Sequence, residues 1–272
     1  MTDPRARRLA GFTEAPFTHG ELTRPVFVGG EGPGVVVVHE LPGITPAVSS
    51  FGRRLVDAGF RVAMPSLAGT PGRTMSAGYT ASSLGRVCVA KEFTTWRTGR
   101  TSPVIDWLRG LAAALHADAG GPGVGAVGMC FSGGFALAMA VDDRLLAPVC
   151  SQPSLPFAIG AGRARDLGLS DPDLATVRGR AERGELCAMA LRFTGDRLVP
   201  AARFARLREE LGDALVAVEI DSSPGNPHGL RRAAHSVLTE DLVDEPGHPT
   251  RAALDEVLAF LSRRLQPPDS RP

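Results

Sequence analysis

Residues 124–136 read Val124-Gly-Ala-Val-Gly-Met-Cys130-Phe-Ser-Gly-Gly-Phe-Ala136. An apolar run enters a Gly-x-Cys-x-Ser-Gly-Gly turn, and a helix-forming stretch follows at once. This is the layout of a nucleophile elbow, a sharp strand-to-helix turn that strains its apex residue and demands small neighbours. Cys130 stands at the apex, and Gly128, Ser132 and Gly133 are the small neighbours. Such a turn lifts the apex side chain clear of the sheet and aims the first helical N–H groups at the same spot. A thiol gains twice there: the helix N-terminus favours thiolate, and the N–H of Phe131 can stabilise an oxyanion. A second frame exists in the same residues. Cys130-Phe131-Ser132-Gly133-Gly134 also reads as small-x-Ser-x-Gly, with Ser132 as the alternative nucleophile. The preceding strand ends more naturally at Gly128, which favours Cys130.

Outward from the elbow, apolar runs alternate with helical segments, the pattern of an α/β chain with a mainly parallel sheet and helices on both faces. The expected strands are 25–28, 34–39, 61–65, 124–129, 147–151, 188–194 and 215–221. The run Val35-Val36-Val37-Val38 is β-branched and apolar in every position, as a strand buried on both faces requires. The expected helices are 46–58, 104–117, 131–141, 171–183, 201–211 and 251–264. Pro46 suits an early helical position, and Gly59 in Asp-Ala-Gly-Phe closes that helix. Segments 66–100 and 152–185 are expected to lie over the strand ends and shape a pocket. The reading gives one α/β domain over residues 24–265, an N-terminal extension over 1–23 and a disordered tail over 266–272.

A nucleophile needs a base, and the base needs an orienting group. On this kind of elbow the acid and then the histidine follow the nucleophile along the chain. Asp196 closes the run Met-Ala-Leu-Arg-Phe-Thr-Gly-Asp, at the carboxyl end of a strand where ligands gather in open α/β sheets; a helix N-cap is its plainer role. The next strand ends at Ile220-Asp221, and the loop beyond presents His228 between proline and glycine turn residues. That position favours His228 as the base, with His235 as the alternative. Glu40 leaves the valine strand, and a carboxylate there is costly without a partner. It can lie near the thiol, with the N–H of Leu41 as second oxyanion donor. His39 reads as structural. Arg73, Arg86, Arg97, Arg231 and Arg232 lie in or near the pocket loops, and one or two could clamp a substrate carboxylate.

The 272 residues carry a net charge of +1, with 43% hydrophobic and 22% charged residues. Neither nucleic acid nor an anionic membrane surface is indicated by that balance, and no apolar run is long enough to span a bilayer. The polar N-terminus lacks a signal-peptide core, and four cysteines without metal-type spacing suit free thiols in a cytoplasmic setting. Cys150 and Cys187 read as buried strand residues. No histidine spacing indicates zinc, and no glycine-rich nucleotide loop is present, so neither metal nor organic cofactor is expected.

With Cys130, Asp196, His228 and Glu40 in place, the chain resembles the dienelactone hydrolase family of α/β-hydrolases from about residue 24 to 264. The resemblance is carried by Glu40-Leu41-Pro42-Gly43-Ile44, Asp57-Ala58-Gly59-Phe60, Met64-Pro65-Ser66-Leu67, the elbow itself, Gly195-Asp196 through Pro200, and His228-Gly229-Leu230. Departures are Ser132 in place of a glycine, Pro65-Ser66-Leu67-Ala68 where the family has Pro-Asp-Leu-Tyr, the 154–185 insertion, and the stretch 234–239. The resemblance implies the α/β-hydrolase fold and hydrolysis of a small-molecule lactone or carboxylic ester through a cysteine thioester. It also implies that Glu40 helps switch the cysteine between thiol and active thiolate. A monomer or homodimer is expected. The alternative reading is a non-catalytic or regulatory protein of the same fold that binds a small ligand. A redox sensor would need a resolving cysteine near Cys130, and none is placed for it in sequence.

Overall fold

A strand of four valines can be satisfied only where helices cover both faces of a sheet. The computed structural model, which describes residues 7–89, 93 and 99–266, places it so. Its eight strands are β1 (Thr13–His19), β2 (Leu22–Gly29), β3 (Gly34–Val38), β4 (Arg61–Pro65), β5 (Val124–Met129), β6 (Leu145–Ser151), β7 (Ala188–Phe193) and β8 (Leu215–Ile220). They form one sheet in the order β1-β2-β4-β3-β5-β6-β7-β8. The pairings β1–β2 and β2–β4 are antiparallel, and the remainder are parallel. This is the α/β-hydrolase arrangement.

The helices are α1 (Pro46–Asp57), α2 (Ala77–Val89), α3 (Val104–Ala119), α4 (Gly133–Met139), α5 (Ala161–Arg165), α6 (Asp171–Glu182), α7 (Ala201–Leu211) and α8 (Pro249–Leu265). The alternation of side chains along a strand splits the core in two. Val36 and Val38 join Trp107, Leu108, Phe135 and Phe204 on one face. Val35 and Val37 join Phe51, Leu55, Phe260 and Leu261 on the other. All four valines are fully buried, each worth about 1.5–3 kcal/mol of transfer free energy. Helix α1 starts as its sequence demands: the Thr45 hydroxyl accepts from the Val48 N–H, and Pro46 follows the cap. It closes at Gly59, whose φ of 83° favours glycine.

Three features depart from the sequence expectations. β1 lies within residues 1–23, set apart above as an extension, and is zipped residue by residue onto β2. Its side chains are largely exposed, so no apolar alternation marks it. α2 lies within segment 66–100 and α5 within 152–185, where no helix was expected, whereas α6 matches the expected helix over 171–183. Cys150 is buried in β6 as expected, whereas Cys187 is half-buried and precedes β7 rather than lying in it. Arg97 and residues 267–272 of the expected tail lie outside the described residues. Among the described residues no helix is long and apolar enough to cross a membrane.

Candidate active site

Parallel register brings the site together. Val38 of β3 pairs with Gly128 of β5, so Glu40 and Cys130 each follow two residues beyond that pair. Ser151 of β6 pairs with both Met129 and Leu191, and Phe193 of β7 pairs with Ile220. The carboxyl ends of five strands therefore deliver Glu40, Cys130, the loop after Ser151, Asp196 and the loop after Ile220 to one edge of the sheet, where open α/β sheets hold their ligands.

Cys130 has φ of 56°, a left-handed conformation that costs a non-glycine residue about 1–2 kcal/mol. The strain is local to the elbow, where Cys130–Ser132 form a 3₁₀ turn before α4. The small neighbours are needed for contact reasons. A Cβ on Gly128 would lie 2.2 Å from the Ser132 carbonyl oxygen, and one on Gly133 would lie 2.5 Å from Pro153 Cα. Ser132 itself is fully buried. Its hydroxyl accepts from the Met129 N–H at 3.0 Å and lies within donating reach of the carbonyls of Val38 (2.8 Å), Met129 (2.9 Å) and His39 (3.1 Å). It fastens the elbow to β3 and is directed at backbone, so the geometry speaks against the alternative frame with Ser132 as nucleophile.

Asp196 is buried, and its two carboxylate oxygens are divided between two tasks. Oδ1 accepts from the Leu198 N–H at 2.9 Å, which shapes the turn. Oδ2 accepts from Nδ1–H of His235 at 2.6 Å. It caps no helix, since α7 has Pro200 at its N-cap. The histidine brought to Asp196 is His235, the alternative, and not His228. His228 lies on an exposed turn, with its backbone N–H on Asn226 and its ring edge-on to His248 at 5.5 Å. The chain runs through further turns after His228 before it returns over Asp196, and His235 is the ring it delivers. Burial alone would lower the proton affinity of His235, but the negative charges of Cys130 and Asp196 outweigh it and raise the pKa to about 11. Its Nε2 is buried without a partner of full hydrogen-bond geometry. Cys130 nevertheless raises the proton affinity of the same ring, and catalytic hydrogen bonds are often misaligned before substrate binds.

The segment that carries His235 is held by two carboxylates. Asp241 accepts from the backbone N–H of His235 (2.8 Å) and of Ser236 (3.0 Å), and pairs with Arg231 at 2.7 Å. Those bonds outweigh burial and hold the Asp241 carboxyl below the usual carboxylate range. Glu40 accepts from Ser236 Oγ at 2.6 Å, from the Thr239 hydroxyl and from Gln152 Nε2 at 3.4 Å. Burial pushes the Glu40 carboxyl up, and the two hydroxyls and the charge of His235 push it back. Glu40 thus docks the histidine segment onto β3. His39 is structural, as expected: Nδ1–H donates to Glu40 carbonyl at 2.8 Å, and Nε2 accepts from the Leu67 and Ala68 N–H groups at 3.0 and 3.3 Å.

Leu41 follows Glu40 in the loop after β3 and precedes a cis bond to Pro42. Phe131 is the residue after Cys130, its buried ring packed edge-on to Phe93 and Phe135. Of the arginines, Arg73 stacks on Tyr79 at 4.2 Å and Arg231 is spent on Asp241. Arg86 is exposed on α2. Arg232 and Arg197 line a cavity of about 320 Å³ beside Asp196 and His235. A larger cavity of about 580 Å³ lies under β1, β2 and α3, and none of the residues above lines it. Among the described residues no three His, Cys, Asp or Glu side chains gather as a metal site. Sequence reasoning missed Gln152, Ser154, Ser236, Thr239 and Asp241. The signal available for the last three was a cluster of polar residues in a stretch with buried Ala234, Val237 and Leu238.

The family model for dienelactone hydrolases matches residues 19–262. The chain belongs to the dienelactone hydrolase family. It is thereby placed among hydrolases that act on small molecules. No curated protein matches its sequence. Among solved structures it is similar to a Klebsiella pneumoniae protein classed as a dienelactone hydrolase, with TM-score 0.62 and 17% identity over 93% of this chain and 98% of that one. The dienelactone hydrolase of Anabaena variabilis gives TM-score 0.58 and 17% identity over 94% and 99%. The dienelactone hydrolase-like promiscuous phosphotriesterase P91, from metagenomic libraries, gives 0.60 and 18% over 93% and 98%. At these identities the likeness is one of fold.

Proposed function

We propose that this dienelactone hydrolase family member cleaves lactones or carboxylic esters through a thioester on Cys130, with His235 as base and Asp196 as its orienting acid. The observation that carries this reading is the 2.6 Å Asp196–His235 bond at the sheet edge that also presents the elbow cysteine. Asp196 accepts from Nδ1–H and leaves Nε2 to the thiol, and the raised proton affinity of His235 suits that nitrogen to hold the thiol's proton. The Cys130 thiol gives its proton to Nε2, and the thiolate attacks the acyl carbon. The N–H groups of Phe131 and Leu41 serve the developing oxyanion. His235 then protonates the leaving oxygen and activates the water that cleaves the thioester. Glu40 supports this chemistry through the position of His235.

Turnover of a panel of lactones and short p-nitrophenyl esters tests the assignment. Cys130→Ala is expected to abolish turnover, and His235→Ala to lose about 10²–10⁴-fold in kcat, the usual worth of a positioned base. His228→Ala is expected to stay within about twofold, as exposed residues outside a site do. Activity retained in Cys130→Ala overturns the thioester route, and a large loss confined to His228→Ala restores the other histidine.

A further inference from the structure

We propose that the hydroxyl of Ser154 donates a hydrogen bond to the reacting sulfur of Cys130, which makes it a further catalytic residue of this site; the proposal rests on Cys130 being the nucleophile. Ser154 Oγ lies 3.5 Å from Cys130 Sγ, within reach for sulfur, and the Ser154 N–H donates to the Cys130 carbonyl at 3.0 Å. The two residues are tied at backbone and side chain together. Ser154 is 2% exposed, and a buried hydroxyl must find a partner or cost stability. Among the described residues the sulfur is the partner it has. A thiolate accepts far better than a thiol, so the contact strengthens as the proton leaves for His235.

The placement is built rather than incidental. Gly133 lets α4 approach Pro153 so closely that a Cβ there would meet its backbone at 2.5 Å. On the other side the buried guanidinium of Arg203 donates to the carbonyls of Pro153 (2.7 Å), Pro156 (2.6 Å) and Arg163 (3.0 Å). Residues 153–156 form a shelf pinned between elbow and α7, and Ser154 is the member whose side chain reaches the sulfur. Once the sulfur is acylated its charge is gone and the bond weakens, so the hydroxyl favours the thiolate before attack rather than the thioester after it. The ionisable groups around the sulfur are His235, Asp196 behind it, and Glu40 on the β3 loop, which acts on His235. Ser154→Ala alters none of them.

The test is the pH profile of Cys130 alkylation by iodoacetamide in the full chain. Peptide-resolved mass spectrometry separates Cys130 from Cys88, Cys150 and Cys187, and circular dichroism verifies folding. In Ser154→Ala the pH of half-maximal rate is expected to rise by about one unit, the size of a hydrogen bond to a charged group. Ester kcat/KM near neutral pH falls about tenfold, carried by kcat, for the same reason. Ser154→Thr, which keeps the hydroxyl, restores the wild-type profile. Superimposed profiles for wild type and Ser154→Ala, with Cys130→Ala inactive, overturn the Ser154 proposal alone. Turnover retained in Cys130→Ala overturns both it and the nucleophile reading beneath it. If Ser154→Ala does not fold, Ser154→Gly, which also lacks the hydroxyl, replaces it: a rise of about one unit in the thiolate-absorbance midpoint supports the hydroxyl donor, and a midpoint equal to wild type overturns it.

Discussion

His39 and His235 each hold a proton on Nδ1 against an oxygen, and burial lowers the proton affinity of both, yet their neighbours drive their charges apart. His39 faces only neutral partners, so desolvation dominates and lowers its pKa to about 4. His235 faces two negative groups and rises to about 11. The stability consequences have opposite signs. Below the unfolded value near 6.5 the unfolded chain protonates at residue 39 while the fold resists, so this contribution is full above that pH and lost as pH falls towards 4. For His235 the contribution is full below 6.5 and lost as pH rises towards 11. His39→Gln isolates the first effect. Relative to that variant, wild type is expected to lose about 2–3 kcal/mol between about pH 7.5 and 4.5, read by urea unfolding. Residue by residue, Cys130 and Asp196 were legible because each ends an apolar strand run. His235 was not, because turn residues drew attention to His228. The deciding contact with Asp196 is tertiary, across a loop whose path no local pattern encodes.

At the scale of elements, the elbow is a packing constraint before it is a chemical one. Gly133→Ala drives a Cβ into the Pro153 backbone, and Gly128→Ala drives one into the Ser132 carbonyl. Neither obstacle is the end of a flexible side chain, so relief requires the backbone to shift. Each substitution is expected to cost about 2–4 kcal/mol and lower Tm by several degrees in calorimetry. Gly162→Ala in α5, where nothing lies within 4 Å of the added atom, is the control and should be neutral or stabilising. The elbow's strand and helix could be read from glycine spacing. α2 could not: its buried stripe is Tyr79, Ser83 and Val87, and the serine in the middle breaks the apolar period on which such a reading depends.

For the molecule as a whole, the N-terminal residues complete the sheet. Leu9 is buried in one core, and the Arg8 carbonyl accepts from Ser49 Oγ at 2.6 Å and from Arg53 at 3.0 Å. β1 covers the hydrogen-bonding edge of β2 while showing water Glu14, Thr18 and His19. A polar outer strand containing Pro16 is a safe edge for a sheet, and β2, with buried Val26 and Phe27, is not. Removal of residues 1–20 is therefore expected to raise self-association, detected by light scattering at rising concentration. That edge role also explains why the chain start resisted reading: selection there acts against stickiness, which leaves no hydrophobic signature.

The Arg203 clamp grips carbonyl oxygens and no side chain on the shelf. Its grip is indifferent to which amino acids the shelf carries, provided the backbone path is kept. Leu155, beside Phe131 and Phe135 in a small gap, can therefore be replaced by another apolar side chain of its size without loosening the hold on the backbone that carries Ser154. The clamp thus fixes where the backbone runs and leaves to each of two adjacent side chains its own task.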